Sequence, residues 1–178
     1  LAKKLGVDKL VEYYLMDYSN TIFKDNQFDA VYTMEALVHS PDLKKTLREF
    51  FRILKPGGRL VMHEYTMAKD KEFTDYEKRI MDMMIEGGAI HSLRDMRHNS
   101  FPKVLREIDF VSVKEKDISR YTEPSFRRLH NLSLIPYFFV KFLGLQRRFI
   151  NVTTGYEVYK IAKKGLIRYC VFIAIKPR

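Results

Sequence analysis

An α/β chain with a mostly parallel sheet is what this 178-residue sequence predicts, and three observations carry that expectation. The run from Phe28 to Tyr65 reads as strand, polar turn, amphipathic helix, Pro-Gly-Gly hinge and second strand. Further strand-like and helix-like segments alternate after it, which argues for strands covered by crossover helices. The last apolar run, Leu166 to Ile175, follows a long helical stretch, so it is expected to close the sheet as an antiparallel edge strand.

The elements follow in order. Leu1 to Leu10 reads as the end of a helix already under way, with Gly6 near its C-terminus, so a longer chain is expected upstream. Val11 to Met16 reads as a strand, and Asp17 and Tyr18 follow it directly; Ser19 to Gln27 is expected to be a loop. Phe28 to Thr33 is a buried strand. Asp42 to Leu54 is a helix, because Leu43, Leu47, Phe50, Phe51 and Leu54 recur on one face and Pro41 and Asp42 suit its first turn. Gly57 and Gly58 let the chain turn back with positive φ, into the strand Arg59 to Tyr65. Phe73 to Glu86 is helical up to Gly87-Gly88. Asp95 to Ile108 is a second helix, with its regular part starting near Ser100 because Pro102 belongs in a first turn. Phe110 to Asp117 is a strand, and Tyr121 to Lys164 is mostly helical.

Bulk composition narrows the function classes. Hydrophobic residues make up 46% and charged residues 30%, a globular balance. No stretch reaches the ~18–20 apolar residues a membrane span needs; the longest, around Leu132 to Leu145, is interrupted by Ser133, Pro136, Lys141 and Gly144. The net charge of +10 fits a solvated basic surface or peripheral contact with a lipid surface. Nucleic acid is not expected as a partner, since the Lys and Arg residues are scattered and form no recognisable module. Cys170 is the only cysteine, which excludes a disulfide framework, fits a reducing, cytoplasmic setting, and lies in an apolar strand-like run. His63, His91 and His98 have no spacing that makes a credible ligand set, so no metal site is expected.

Several of these segments resemble class I S-adenosylmethionine-dependent methyltransferases. Asp17-Tyr18 after a strand, FDAVYTMEALVH, and LREFFRILKPGGRLVMHEY are similar to the second half of that Rossmann-like fold. Tyr32-Thr33-Met34-Glu35-Ala36 followed by His39-Ser40-Pro41 is similar to a Tyr-x-x-Glu-Ala-x-x-His-x-Pro signature of the sterol 24-C-methyltransferase group. Glu64-Tyr65 stands where that group has Glu-Trp, and Glu86 to Ile90 resembles its Gly-containing segment. The glycine-rich donor loop and the acidic end of the second strand of that family are absent from this sequence, so the N-terminal strands of the sheet are expected to be missing.

The resemblance implies S-adenosylmethionine as methyl donor and a sterol-like or other lipophilic acceptor. It divides the chain into a partial core, residues 1–118, and a C-terminal helical cap with the final core strand, residues 119–178. It places the adenine amino group on Asp17, with Tyr18 stacked on the ring and Glu35 near the donor; Asp17 also suits a turn. Glu35, His39, Glu64 and Tyr65 become the catalytic candidates. Carbon methylation of an alkene creates positive charge that carboxylates and π faces stabilise, and a base must then take a proton. His39 suits the base by its pKa class, although a structural hydrogen bond is an equal reading of it. With a hydroxyl acceptor the same residues serve O-methylation, and a specialised-metabolism enzyme or a non-catalytic lipid-binding remnant stays open. Tyr121 to Leu145, rich in Phe and Leu, is either a lid packed on the sheet or the wall of a lipid pocket. Arg127, Arg128, Arg147 and Arg148 flank it, and could meet anionic headgroups at the endoplasmic reticulum or another lipid surface.

Overall fold

The computed structural model describes residues 1–178. Four strands, β1 (Phe28–Met34), β2 (Leu54–Met67), β3 (Val111–Asp117) and β4 (Ile167–Ile175), form one sheet in the order β1-β2-β4-β3. β1 and β2 run parallel, and β4 is antiparallel to both β2 and β3. The α/β expectation and the antiparallel direction of the last strand therefore hold, but that strand does not sit at the edge. β4 is inserted between β2 and β3. Its composition explains this: Cys170, Phe172 and Ala174 are fully buried, whereas the flanking strand carries Lys114, Glu115, Lys116 and Asp117, charges that protect an open edge.

α1 (Leu43–Ile53) connects β1 to β2 as the βαβ pattern requires. Asp42 caps it by accepting from the Lys45 N–H at 2.9 Å. Its other end is tied down by Lys176, whose Nζ donates to the carbonyls of Phe51 and Leu54, both at 2.8 Å. Gly57 takes φ +79° in the hinge. α2 (Asp75–Gly87) starts at a Thr74–Glu77 capping box. α3 (Phe101–Arg106) is shorter than the sequence suggests, because His91–Asp95 forms a separate 3₁₀ turn ahead of it.

The long C-terminal helical stretch is two antiparallel-packed helices, α4 (Ser119–Phe142) and α5 (Ile150–Lys163), separated at Gly144 with φ +67°. They lie between β3 and β4, at the carboxyl ends of the parallel strands, and α5 also packs on α2. Val158 and Ile161 of α5 share one hydrophobic core with Leu47, Leu60, Met62 and Phe172, so cap and sheet are packed together.

Two N-terminal expectations are corrected. Leu1 to Leu10 folds as two 3₁₀ turns, Lys3–Leu5 and Asp8–Leu10, not as the end of an α-helix. Val11 to Met16 is not a strand: it joins no ladder, and Tyr13 and Leu15 stand in solvent. An apolar, aromatic run does not make a strand when no neighbouring strand pairs with it. No helix is long and apolar enough to cross a membrane.

Candidate functional site

The two faces of β2 present different chemistry. Leu60, Met62, Glu64 and Thr66 are fully buried on one face, with Phe172 and Cys170 beside them on β4. Val61, His63 and Tyr65 lie on the other, half-buried face. The adjacent residues Glu64 and Tyr65 therefore point away from each other.

Glu64 reaches beneath the segment that follows β1. Its Oε1 accepts the N–H groups of Ala36 at 3.0 Å and Leu37 at 2.9 Å, and its Oε2 is buried with no partner. Burial pushes the carboxyl up to about 7, against the lowering effect of those backbone donors. Tyr18 holds the same segment by donating to the Ala36 carbonyl at 3.1 Å. Burial, with Asp17 and Glu64 nearby, raises its phenol.

Glu35 sits at the exposed tip of this segment with φ +52°, a left-handed backbone uncommon for a residue with a Cβ, and its N–H donates to the His63 carbonyl at 2.9 Å. That geometry swings Glu35 off the strand axis towards Tyr65 and Tyr169. Burial first, and then the Glu35 carboxylate, push the Tyr65 phenol up to about 12. The same two causes raise Tyr169. Tyr65 and Tyr169 are register partners across β2 and β4, with ring centroids 4.7 Å apart. Phe126 of α4 meets Tyr65 edge-on at 6.1 Å.

His39 is exposed and lies in the 3₁₀ turn Leu37–His39; its Nδ1–H donates to the Ala89 carbonyl at 3.1 Å. That bond leaves Nε2 as the ring's acceptor. Asp17 is exposed and forms a local turn, accepting from the Ser19 N–H at 2.8 Å and the Ser19 hydroxyl at 3.0 Å, which together hold its carboxyl below the usual range.

The structure thus brings Glu35 and Tyr65 together and adds Tyr169 and Phe126, which sequence reasoning missed. Tyr18 and Glu64 meet at the base of the Ala36–Leu37 segment. Asp17 makes only local contacts, and His39 bonds the Ala89 carbonyl after α2, apart from this cluster. Tyr169 gave no signal in the sequence, because its significance comes from pairing with a residue more than a hundred positions away. Phe126 was legible only as one of many apolar residues in the cap.

A cavity of about 410 Å³ opens beside this cluster, lined by Tyr65, Ile90, Phe126, Leu129, Gly155 and Ile167 among others. Its wall is almost wholly apolar, with Asn151 and Thr154 as polar exceptions. A larger groove of about 720 Å³, between α2 and the α4–α5 turn, is lined by Arg79, Asp82, Glu86 and Arg147 and touches none of the candidate residues. Only the smaller, apolar cavity meets the strand end, at Tyr65 and Ile167.

Residues 1–62 match the methyltransferase domain family. The chain is 33% identical over 134 residues to the S-adenosyl-L-methionine-dependent Diels-Alderase iccD of Talaromyces variabilis, covering 74% of this chain and 46% of that protein. It is 34% identical over 129 residues to 24-methylenesterol C-methyltransferase 2 of Arabidopsis thaliana, covering 71% of this chain and 35% of the other. Among solved structures, geranyl diphosphate C-methyltransferase from Streptomyces coelicolor, in complex with Mg²⁺, geranyl diphosphate and S-adenosyl-L-homocysteine, superposes with a TM-score of 0.71 at 18% identity. That match covers 98% of this chain and 56% of the other. The chain spans less than half the length of these curated relatives.

Proposed function

Because the chain belongs to the class I S-adenosylmethionine-dependent methyltransferases, with distant kinship to the sterol 24-C-methyltransferases, we propose that it takes part in methyl transfer from S-adenosylmethionine to a lipophilic acceptor, with carbon methylation of a sterol-like or isoprenoid alkene as the preferred reaction. One observation carries this reading: an apolar cavity of about 410 Å³ ends on Tyr65, beside Glu35, at the carboxyl end of a parallel strand.

The residues present suit the donor in part. Asp17 keeps free acceptor capacity after its two bonds to Ser19, as an adenine amino group requires. Tyr18 is fixed beside it by its bond to Ala36. The bound donor would supply an electrophilic methyl on a sulfonium cation. Tyr65, Tyr169 and Phe126 offer π faces, and Glu35 a carboxylate, where positive charge develops on an acceptor lying in the cavity. His39, whose Nδ1–H is held by the Ala89 carbonyl, is the candidate proton acceptor through Nε2.

Calorimetric titration with S-adenosylhomocysteine, with transfer of labelled methyl to sterol and isoprenoid acceptors, tests the proposal. Asp17→Ala should weaken donor binding about tenfold, the loss of one charge-assisted hydrogen bond. Glu35→Gln and His39→Ala should lower turnover by about 10²-fold with donor affinity nearly unchanged. Full turnover in both variants would remove them from the site.

The likeness to a protein named as a Diels-Alderase favours one second reading, a cyclase that retains its S-adenosylmethionine. Stoichiometric release of S-adenosylhomocysteine with product supports the transferase; product without that release supports the cyclase.

A further inference from the structure

The outward face of α4 and the turn after it combine an unpartnered apolar arc with unpaired positive charge. Leu132, Ile135, Phe138, Phe139, Phe142 and Leu143 are each more than half exposed, and at helical spacing they share one side of α4. The arc runs about 17 Å along the helix axis. That length is too short to cross a bilayer and suits a helix lying in its surface.

Cations bracket the arc. Arg128 stands one turn ahead of Leu132 on the same side, Lys141 lies at the flank, and Arg147 and Arg148 follow the turn at Gly144. All of these are exposed and free of ion pairs; the paired cation of this stretch is Arg127, 3.9 Å from Glu123. Glu123 is the only carboxylate between Ser119 and Phe149, and it is engaged with α5, accepting from the Tyr159 hydroxyl at 3.0 Å. The outer face therefore offers apolar side chains and positive charge together, with no carboxylate of its own to balance them. A second copy of the chain docked there would set like charges against each other. A bilayer with anionic headgroups satisfies both features: its acyl boundary takes the Phe and Leu side chains, and the long Arg and Lys stems reach its headgroups.

We propose that the face running from Arg128 to Arg148 docks on an anionic lipid bilayer, with α4 lying in the plane of the headgroups. Leu129 sits at the margin of the arc, 48% exposed, and also lines the apolar cavity that ends on Tyr65. Docking therefore brings the α4 wall of that cavity to the lipid surface. The contact with lipid does not depend on which acceptor the cavity takes.

The test is co-sedimentation of the full chain with vesicles of phosphatidylcholine alone and of phosphatidylcholine with about 30% phosphatidylserine, beside sedimentation velocity without lipid. The chain should bind the anionic vesicles, and added salt should weaken that binding. Phe138→Ser with Phe142→Ser, and separately Arg147→Gln with Arg148→Gln, should each lower the vesicle partition coefficient about tenfold. Lys114→Gln with Lys116→Gln removes the same charge from the exposed strand β3, and should change it by no more than about twofold. The chain has no tryptophan, so Phe138→Trp reports insertion directly: its emission should shift to the blue on anionic vesicles. Absence of binding to anionic vesicles overturns the proposal. So does unchanged binding in the Phe138→Ser, Phe142→Ser variant, an equal loss in the Lys114→Gln, Lys116→Gln variant, or emission from Phe138→Trp that does not move. Where the serine variant fails to fold by circular dichroism, the Arg147→Gln, Arg148→Gln pair and Phe138→Trp decide alone. A parent that is dimeric without lipid and binds no vesicles, with the dimer lost in the serine variant, gives this face to a second copy instead.

Discussion

A fully buried carboxyl with one unpartnered oxygen is an unusual element of a small α/β core, and Glu64 is that group. Its Oε1 joins the end of β2 to the segment carrying Glu35 and His39, and so holds that backbone in place. Folding raises its pKa from the ordinary 4.5 to about 7. Between those values the folded chain keeps a proton that the unfolded chain has lost, so stability falls as pH rises through this window. The contribution is complete below the unfolded value and lost above the folded one; the shift corresponds to roughly 3 kcal/mol. Glu64→Gln keeps an oxygen for the Ala36 and Leu37 N–H groups and does not titrate. Melting temperature measured from pH 4 to 8 should therefore decline less steeply with pH in the variant. The difference between the two profiles isolates Glu64 from opposing groups such as His98, whose pKa burial lowers. Identical profiles would mean that the buried carboxyl does not titrate in this range.

At the scale of elements, the cap depends on one close approach. Gly155 of α5 faces α4, and a Cβ there would stand 2.7 Å from Ser133 Oγ and 3.3 Å from Leu129 Cγ. Alanine would gain about 1 kcal/mol of helix propensity, but overpacking at this distance costs about 1–3 kcal/mol. Gly155→Ala should therefore lower the melting temperature, and Ser133→Gly added to it should restore most of the loss; a melting temperature raised by Gly155→Ala alone would show that the helices are free to separate. Glu157 secures the same cap to α2, accepting from the Tyr76 and Tyr137 hydroxyls, both at 2.8 Å. None of this was legible beforehand, because a glycine within a helical stretch carries no signal of what crosses it. The βαβ unit was legible in outline, from Phe28 through Pro56-Gly57-Gly58 to Tyr65, since local periodicity and turn chemistry specify it; β1 is nevertheless mostly exposed where a buried strand was expected, and β2 already begins at Leu54. The position of β4 was not, because insertion between β2 and β3 is a long-range pairing. The N-terminal segment differs from expectation for a related reason: Val11 to Met16 is an apolar, aromatic run, and composition does not tell whether a partner strand exists.

Across the whole molecule, apolar surface is unevenly distributed. The core is shared by sheet and cap, yet the outward face of α4 presents Leu132, Ile135, Phe138, Phe139, Phe142 and Leu143, each more than half exposed. These residues fall on one arc of the helix, opposite Ser133, Tyr137 and Val140, which are buried against the rest of the cap. The sequence pattern left a packed lid and a pocket wall as alternatives for this stretch; its inner side, through Phe126 and Leu129, lines the cavity, and its outer side packs on nothing. A continuous apolar arc of this kind is more than the scattered exposure usual at protein surfaces. In water it should bind hydrophobic dyes and draw chains together, with the net charge of +10 opposing association at low salt. Phe138→Ser with Phe142→Ser leaves the buried side of α4 unaltered, and should reduce anilinonaphthalene sulfonate fluorescence several-fold while leaving the melting temperature within about 0.5 kcal/mol equivalent of the parent. Light scattering of the parent should rise with added salt as charge repulsion is screened, and that rise should be absent in the double variant. Unchanged dye binding in the variant would locate the accessible apolar surface elsewhere, on the half-buried sheet face where Tyr32 and Met34 of β1 are exposed at 57% and 54%.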